Sequence, residues 1–275
     1  MGSATESTGA WCVFPRAFAH RDSAHPVPLG DALAAGFTAL EIDVWLRGGD
    51  LLVGHDESEL DPAATLRARY VEPIEARVRC GTLLPPAAGG LTLVLDVKTR
   101  ATRTYRALDG LLREHAGILT SWRDGVRTPG PVTVLVSGHR ARRRMAHQRV
   151  RYAAYDGRRP DVRRFPRRPP PAELVPMVSA DWSDVVRWTG AGELRPRDLR
   201  RLARLVSAGH GQARAVRFWG TPDRPGPERA AVWSLLCDLD VDAINTDDLH
   251  GLADFLRARG DRECHATPRP CAPGP

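Results

Sequence analysis

The chain contains a single lysine. Of its 40 Lys and Arg residues, 39 are arginine and one, Lys98, is lysine, against 33 Asp and Glu. Arg, Ala, Gly and Pro are abundant throughout, a pattern of coding bias that makes arginine a poor functional marker and the lone lysine a better one. Aromatic residues make up only 6% of the 275 residues, and cysteine occurs five times. Cys12, Cys80, Cys237, Cys264 and Cys271 are scattered, odd in number and without a CxxC pair, which argues against a zinc site or a disulfide framework. Cys264, His265 and Cys271 fall in a Pro-rich tail expected to fray. No apolar run reaches the ~18–20 residues that cross a bilayer. Met1–Ala10 lacks the basic start and apolar stretch of a signal peptide, so the cytosol is the expected compartment. There is no GxGxxG and no GxxxxGK[ST], and nucleotide-binding folds have no support. At 42% hydrophobic, 27% charged and net +7, the composition is that of a globular protein long enough to bury a core. Wholesale disorder, collagen and a disulfide miniprotein are excluded.

What is present is an alternation of short β-like and helix-like runs. Strands are expected at Arg16–His20, Thr38–Leu46, Leu51–His55, Leu91–Thr99, Val132–Ser137, Arg151–Tyr155, Val175–Ala180, Ala213–Trp219 and Asp242–Thr246. Helices are expected at Leu29–Ala35, Arg103–His115, Arg197–Ala208, Glu228–Asp238 and Leu249–Arg259. This order fits an α/β single domain, a (β/α)₈ (TIM) barrel over residues 15–260, with an open doubly wound sheet as the alternative. Residues 1–14 read as an N-terminal extension and 261–275 as a Pro-rich C-terminal tail. The segment from His139 to Pro171 carries twelve arginines. It reads either as a surface for phosphate-rich partners or as a solvated loop in an Arg-rich chain.

Chemistry gathers on two strands. In TALEIDVWL (38–46), Leu40, Ile42, Val44 and Leu46 share one face, and Glu41 and Asp43 share the other. In LTLVLDVKT (91–99), Asp96 and Lys98 lie opposite the apolar Leu91, Leu93, Leu95 and Val97. Carboxylates on a buried strand face are costly unless positive charge lies between them. Glu41, Asp43 and Asp96 therefore suit a hard divalent cation, Mg²⁺ or Ca²⁺. A buried salt bridge from Lys98 to one carboxylate is the plainer alternative. His20 (AFAHRD) and His55 (LLVGHD) fall at predicted strand ends on the same rim. Such a pair can serve as base and acid across a phosphodiester.

The segments AHRD (19–22), GFTALEIDVWLRGGDLLVGHD (36–56), LVLDVKT (93–99), VRFWG (216–220) and AINTDD (243–248) resemble the phosphatidylinositol-phospholipase-C-like phosphodiesterase superfamily. That superfamily includes glycerophosphodiester phosphodiesterases and sphingomyelinase D-like toxins. The segment AHRDSAHPVPLGDALAAGF and a later SADW (179–182) look most like its uncharacterised bacterial and fungal branch. The resemblance implies a TIM barrel and a metal-dependent phosphodiesterase. His20 and His55 take the places of the catalytic histidines, and Glu41, Asp43 and Asp96 those of the metal ligands. Arg21 sits where the family pattern HRG has its arginine, Lys98 would contact a phosphate oxygen, and Trp219 would wall the pocket or pack in the core. Two departures stand out: the family's HRG…PEN glutamate is absent, and Asp96 replaces the glutamate of ExK. The implied substrate is a small-molecule or lipid phosphodiester; nucleic acid is not an expected partner. Two other classes stay open: a catalytically silent barrel that binds anionic partners through its Arg-rich loop, and a related barrel hydrolase or lyase acting on a specialised metabolite.

Overall fold

The computed structural model describes residues 11–85, 88–162 and 169–265. Eight strands run parallel: β1 (Trp11–Ala19), β2 (Phe37–Arg47), β3 (Leu91–Val97), β4 (Val132–Gly138), β5 (Ala154–Arg158), β6 (Met177–Asp181), β7 (Ala215–Trp219) and β8 (Ala243–Thr246). Each pairs with the next, and β8 pairs with β1, so the sheet closes. Helices α1 (Gly30–Ala34), α2 (Glu72–Arg79), α3 (Ala101–Glu114), α4 (Arg142–His147), α5 (Trp182–Val185), α6 (Pro196–His210), α7 (Pro227–Asp238) and α8 (Leu249–Arg259) lie outside the strands in sequence. The protein is a (β/α)₈ barrel, and closure excludes the open doubly wound sheet.

Period-two alternation builds the interior. Phe18, Ala39, Val94, Leu135, Ala154, Met177 and Ala243, with Ala215 packed against them, form one apolar cluster that takes one residue from each strand. Trp122 joins this cluster. Two positions further along each strand direction stand His20, Glu41, Asp96, Ser137, Asp156, Ser179, Arg217 and Asn245. An apolar layer is thus followed by a wholly polar one, towards the C-terminal mouth where (β/α)₈ enzymes place their chemistry.

The register has local causes. Pro15 lacks a backbone N–H, and the β1–β2 pairing shifts between Phe14 and Phe18. Gly36 adopts φ +83°, and a Cβ there would lie 2.7 Å from the Cys12 carbonyl oxygen. β2 outruns the barrel and folds back through Gly48 and Gly49 into Asp50–Val53, delivering His55 to the rim.

Three expectations change. The strand expected at Arg151–Tyr155 divides: Val150–Arg151 joins Ser121–Arg123 and Val126–Thr128 in a separate three-stranded sheet, and β5 begins at Ala154. Arg151 is the reason. Its guanidinium is buried, stacked 4.4 Å from the Trp122 ring centroid and bonded to the carbonyls of Ala153 and Glu173. The Arg-rich segment is also not simply a solvated loop. Arg142 pairs with Asp161, Arg158 with Asp156, and Arg140 donates to the Asp156 carbonyl; residues 163–168 lie outside the described residues. Finally, Cys264 is not in a frayed tail. Glu263–His265 pairs antiparallel with Trp11–Val13, and Cys12 and Cys264 face each other in a disulfide. Residues 11–14 and 263–265, placed on sequence in the extension and the tail, are therefore strand. Cys80 is disulfide-bonded as well, and Cys237 is a free thiol. Cys271 and the rest of both termini lie outside the described residues. Among the described residues no helix is long and apolar enough to cross a membrane.

The Cys12–Cys264 bond closes a loop of 252 residues. A crosslink of this kind contributes about 2–4 kcal/mol, or roughly 5–10 °C in Tm for a domain of this size. Replacing both cysteines by serine lowers the melting temperature by that amount in circular-dichroism melts under oxidising conditions. Equal melting of the two proteins would show that the staple carries no stability.

Candidate active site

The polar layer is not a random collection of charges. β2 and β3 pair in register with Asp43 directly beside Asp96, so alternation brings Glu41, Asp43 and Asp96 to one side of the mouth. One oxygen from each lies within 4.8 Å of the others. Asp43 is 1% exposed, and burial of such a carboxylate demands compensation. Lys98 supplies it from the same strand as Asp96: its Nζ lies 2.6 Å from Asp96 Oδ2 and 2.9 Å from Asp43 Oδ1. Burial pulls the Lys98 ammonium down, but its two carboxylate partners outweigh that and hold it above the ordinary lysine value.

The second compensating cation is Arg217 from β7, on the far side of the mouth. Its Nη1 donates to Glu41 Oε2 at 2.5 Å and its Nε to Ser179 Oγ at 3.0 Å. The guanidinium stacks 4.3 Å from the Phe18 ring centroid, on the apolar layer below. It is 3% exposed. Burial works against its charge, yet Glu41 and Asp156 hold it above the ordinary arginine value.

Each histidine is held through Nδ1 by a carboxylate. His55 Nδ1 lies 2.8 Å from Asp43 Oδ2. His20 Nδ1 lies 2.8 Å from Asp247 Oδ1, and its Nε2 is 4.0 Å from Glu41 Oε1. Burial lowers the His20 pKa, but the Asp247 hydrogen bond and the Glu41 charge overcome it, and the net shift is upward. Asp247 is correspondingly pushed below the usual carboxylate range, first by its bond to His20. Asp223 in turn accepts from the Asp247 backbone N–H and from Thr246. One ring nitrogen of each histidine is thus fixed by a carboxylate, the arrangement used to orient acid–base imidazoles.

The other expected residues take varied positions. Arg21 follows His20 in a left-handed conformation, φ 49°, and its Nε is buried without a hydrogen-bond partner. Its charge helps to lower Asp247. Trp219 ends β7 and is 38% exposed, which excludes core packing. It lines a rim cavity of about 390 Å³ with Arg158, Ser179 and Asp181.

The donor set fits a hard cation. All three carboxylates offer oxygen, they converge, and Asp43 Oδ1 is buried without a hydrogen-bond partner even though the Lys98 ammonium is 2.9 Å away. Glu41, Asp43 and Asp96 could hold such an ion.

Arg217 and Asp247 were missed on sequence. Arg217 carried a readable signal: a charge between Val216 and Phe218 on an apolar strand repeats the Glu41 pattern. Asp247 lies in the motif AINTDD (243–248), but its pairing with His20 is not legible there, because the two are 227 residues apart.

Similarity to known proteins takes in part of this site. The family model described as AIM6-like phosphodiesterase domain matches residues 12–80, a span that contains His20, Arg21, Glu41, Asp43 and His55. Altered inheritance of mitochondria protein 6 homolog from Arthroderma benhamiae is 28% identical over 247 residues, covering 82% of this chain and 76% of that protein. Altered inheritance of mitochondria protein 6 from Eremothecium gossypii is 28% identical over 282 residues, covering 88% and 70%. The barrel superposes on a glycerophosphoryl diester phosphodiesterase from Parabacteroides distasonis with a TM-score of 0.55 at 16% identity, over 90% of this chain and 87% of that one. At that identity the likeness concerns the fold. The family match runs through the first two of the motifs gathered at this mouth, AHRD (19–22) and GFTALEIDVWLRGGDLLVGHD (36–56). The chain is thus similar over residues 12–80 to the AIM6-like phosphodiesterase domain and has the fold of a glycerophosphoryl diester phosphodiesterase, in keeping with the resemblance of its motifs to the phosphatidylinositol-phospholipase-C-like superfamily.

Proposed function

We propose that this protein is a phosphoric diester hydrolase that depends on a divalent cation, Mg²⁺ or Ca²⁺, and acts on a glycerophosphodiester- or phospholipid-like substrate. The observation that carries this reading is the convergence of Glu41, Asp43 and Asp96 between two carboxylate-held histidines.

Glu41, Asp43 and Asp96 would hold the cation. When bound, it supplies charge neutralisation at the phosphoryl oxygens. The formal charges favour this: three carboxylates against Lys98 and Arg217 leave one negative charge. A divalent ion turns that into one positive charge, matched to the single negative charge of a phosphodiester. Lys98 and Arg21 would face the non-bridging oxygens, and Trp219 would wall the rim. His55, fixed at Nδ1 by Asp43, would accept the proton of the attacking group. His20, biased towards its protonated form by Asp247 and Glu41, would protonate the leaving alkoxide. Water as the attacking group gives hydrolysis; a hydroxyl adjacent on the substrate gives a cyclic phosphate.

Part of the Arg-rich segment is engaged within the fold, which counts against a silent, anion-binding barrel. Arg142, Arg149 and Arg158 of the Arg-rich segment are paired with Asp161, Asp124 and Asp156, and Arg151 is buried.

The compartment is better read from the cysteines than from the first ten residues. Cytosolic thiol pools keep disulfides reduced. The Cys12–Cys264 bond and the bonded Cys80 favour an oxidising compartment over the cytosol. Alkylation of the denatured, unreduced native protein then labels Cys237 and spares Cys12, Cys80 and Cys264. Labelling of all four by mass spectrometry would return the protein to a reducing compartment.

His20→Ala and His55→Ala each lower turnover of bis-p-nitrophenyl phosphate by about 10²–10⁴ with the circular-dichroism spectrum unchanged. EDTA abolishes turnover, and Mg²⁺ or Ca²⁺ restores it. Full activity in either histidine variant would overturn the assignment.

The pH dependence has a defined sign. A raised His20 pKa extends the protonated form upward in pH, and its contribution to stability is lost as pH rises through the folded-state value. Asp247→Asn removes the strongest upward influence. The alkaline limb of the pH–kcat profile, and the His20 ring titration by NMR, then move to lower pH. An unmoved titration would remove His20 from the role of acid.

A further inference from the structure

The Lys98 side of the mouth opens into a cavity of about 750 Å³, a volume typical of small-molecule sites. Arg47, Lys98, Arg100, Arg103 and His139 line it, with Thr99 and Thr104, and no acidic side chain does. Arginine is common in this chain, so its number means little; its gathering with Lys98 and His139 around one cavity means more. Arg16, Arg113, Arg142, Arg149, Arg158, Arg217, Arg229 and Arg259 each face a carboxylate. Arg47 is bonded to Glu57. Arg100 and Arg103 have no ion-pair partner among the described residues, as is also true of exposed arginines such as Arg143, Arg144 and Arg200, but of the unpaired arginines only these two share the cavity with Lys98.

Their placement makes this costly. They flank the start of α3, the positive end of a 14-residue helix whose first turn has no acidic residue and whose cap is not made by a side chain. An anion in the cavity would be favoured both by the cationic lining and by the helix end. Lys98 joins the cavity to the carboxylate cluster, since its Nζ touches both Asp43 and Asp96.

We infer that this cavity is a second anion subsite: the preferred substrate is a phosphodiester whose other alcohol carries an additional anionic group of phosphate type. The inference rests on the phosphodiesterase reading for its substrate form. A cationic head group such as choline would be repelled from the same place.

The test uses full-length protein and three p-nitrophenyl phosphodiesters whose second alcohol is choline, ethanol or 2-phosphoethanol, all with the same leaving group. The wild type favours them in the order phosphorylated, neutral, cationic. In Arg100→Gln/Arg103→Gln the ratio of kcat/KM between phosphorylated and neutral substrates falls about tenfold, the loss of a charge-assisted contact, chiefly through KM. A flat series in the wild type, or an unchanged ratio in the variant, overturns the proposal. Phosphatidylcholine vesicles with and without phosphatidic acid test the other source of the same charge. Arginine-dependent cosedimentation combined with a flat diester series assigns the subsite to a membrane head group and overturns its substrate form. If no diester is turned over, the function assignment has failed, and the subsite is judged separately by calorimetry of inorganic phosphate with EDTA-treated protein. Binding weakened about tenfold in the variant supports the subsite; equal or absent binding overturns it.

Discussion

The ion pair between Arg217 and Glu41 is the constraint from which the mouth of the barrel is organised. It spans the interior from β7 to β2, 176 residues apart in the chain. Both partners are almost wholly withdrawn from water. Such a pair adds little net stability compared with apolar residues of the same volume, but removing one partner strands a buried charge at a cost of about 3–5 kcal/mol. The pair is therefore weak as glue and strong as a positioning device. Glu41 is held on one oxygen by Arg217, while its other oxygen lies 4.0 Å from His20 Nε2. The guanidinium rests on Phe18, so the apolar layer fixes the height at which the polar layer begins. The layers depend on each other. Alternation along eight strands buries Ala, Val, Leu, Met and Phe below, and the same alternation forces the next inward positions to be filled, here with groups that can only be buried in compensated form.

The turn after β1 shows how that layer is kept in place from outside. Where the pattern it resembles has HRG, this chain has His20-Arg21-Asp22, and Asp22 does work that glycine cannot do. Its side chain is buried and accepts from the Leu29 backbone N–H at 2.7 Å and from Tyr70 Oη at 2.8 Å. Burial raises the Asp22 pKa, and the two hydrogen bonds oppose that rise. Arg21 and Leu29 both sit at positive φ, conformations that cost of order 1–3 kcal/mol each and persist only when their surroundings over-determine them. The Asp22–Tyr70 link is such a surrounding. It ties the turn that carries His20 to the segment before α2, in the connection that also carries His55.

Much of this was legible in the sequence where the signal is local. Glu41-x-Asp43 and Asp96-x-Lys98 break the polarity of otherwise apolar strand faces within two residues, and the structure places both pairs side by side. The Gly48-Gly49 turn is equally local. The misses have a common physical cause: the partner is distant or the local preference is overridden. Arg151–Tyr155 has strand character, but the burial of Arg151 against Trp122 draws its first residues into another sheet. Cys12 and Cys264 are 252 residues apart, and an odd cysteine count conceals a bond that only strand pairing reveals. Arg217 is the instructive case. Its position on β7, within VRFWG, repeats the rule that marks Glu41, but in a chain with 39 arginines one more charge is not distinctive by residue type.

Lys98 reverses that logic. Arginine stands at 39 of the 40 basic positions, and lysine at the one between Asp43 and Asp96. Asp43 and Asp96 stand on adjacent strands in direct register, and a single nitrogen lies 2.6 and 2.9 Å from an oxygen of each. An ammonium is a compact point charge that can sit between two carboxylates. A guanidinium is a planar fork that matches one carboxylate with two parallel donors. Arginine here would favour one acid at the expense of the other, in a cleft where β4 comes so close that a Cβ on Gly138 would collide with Asp96. The same small head leaves Lys98 open on its other side to the arginine-lined cavity. One residue thus serves the carboxylate cluster and faces the space beyond it, and lysine is the only cation of the right shape for both.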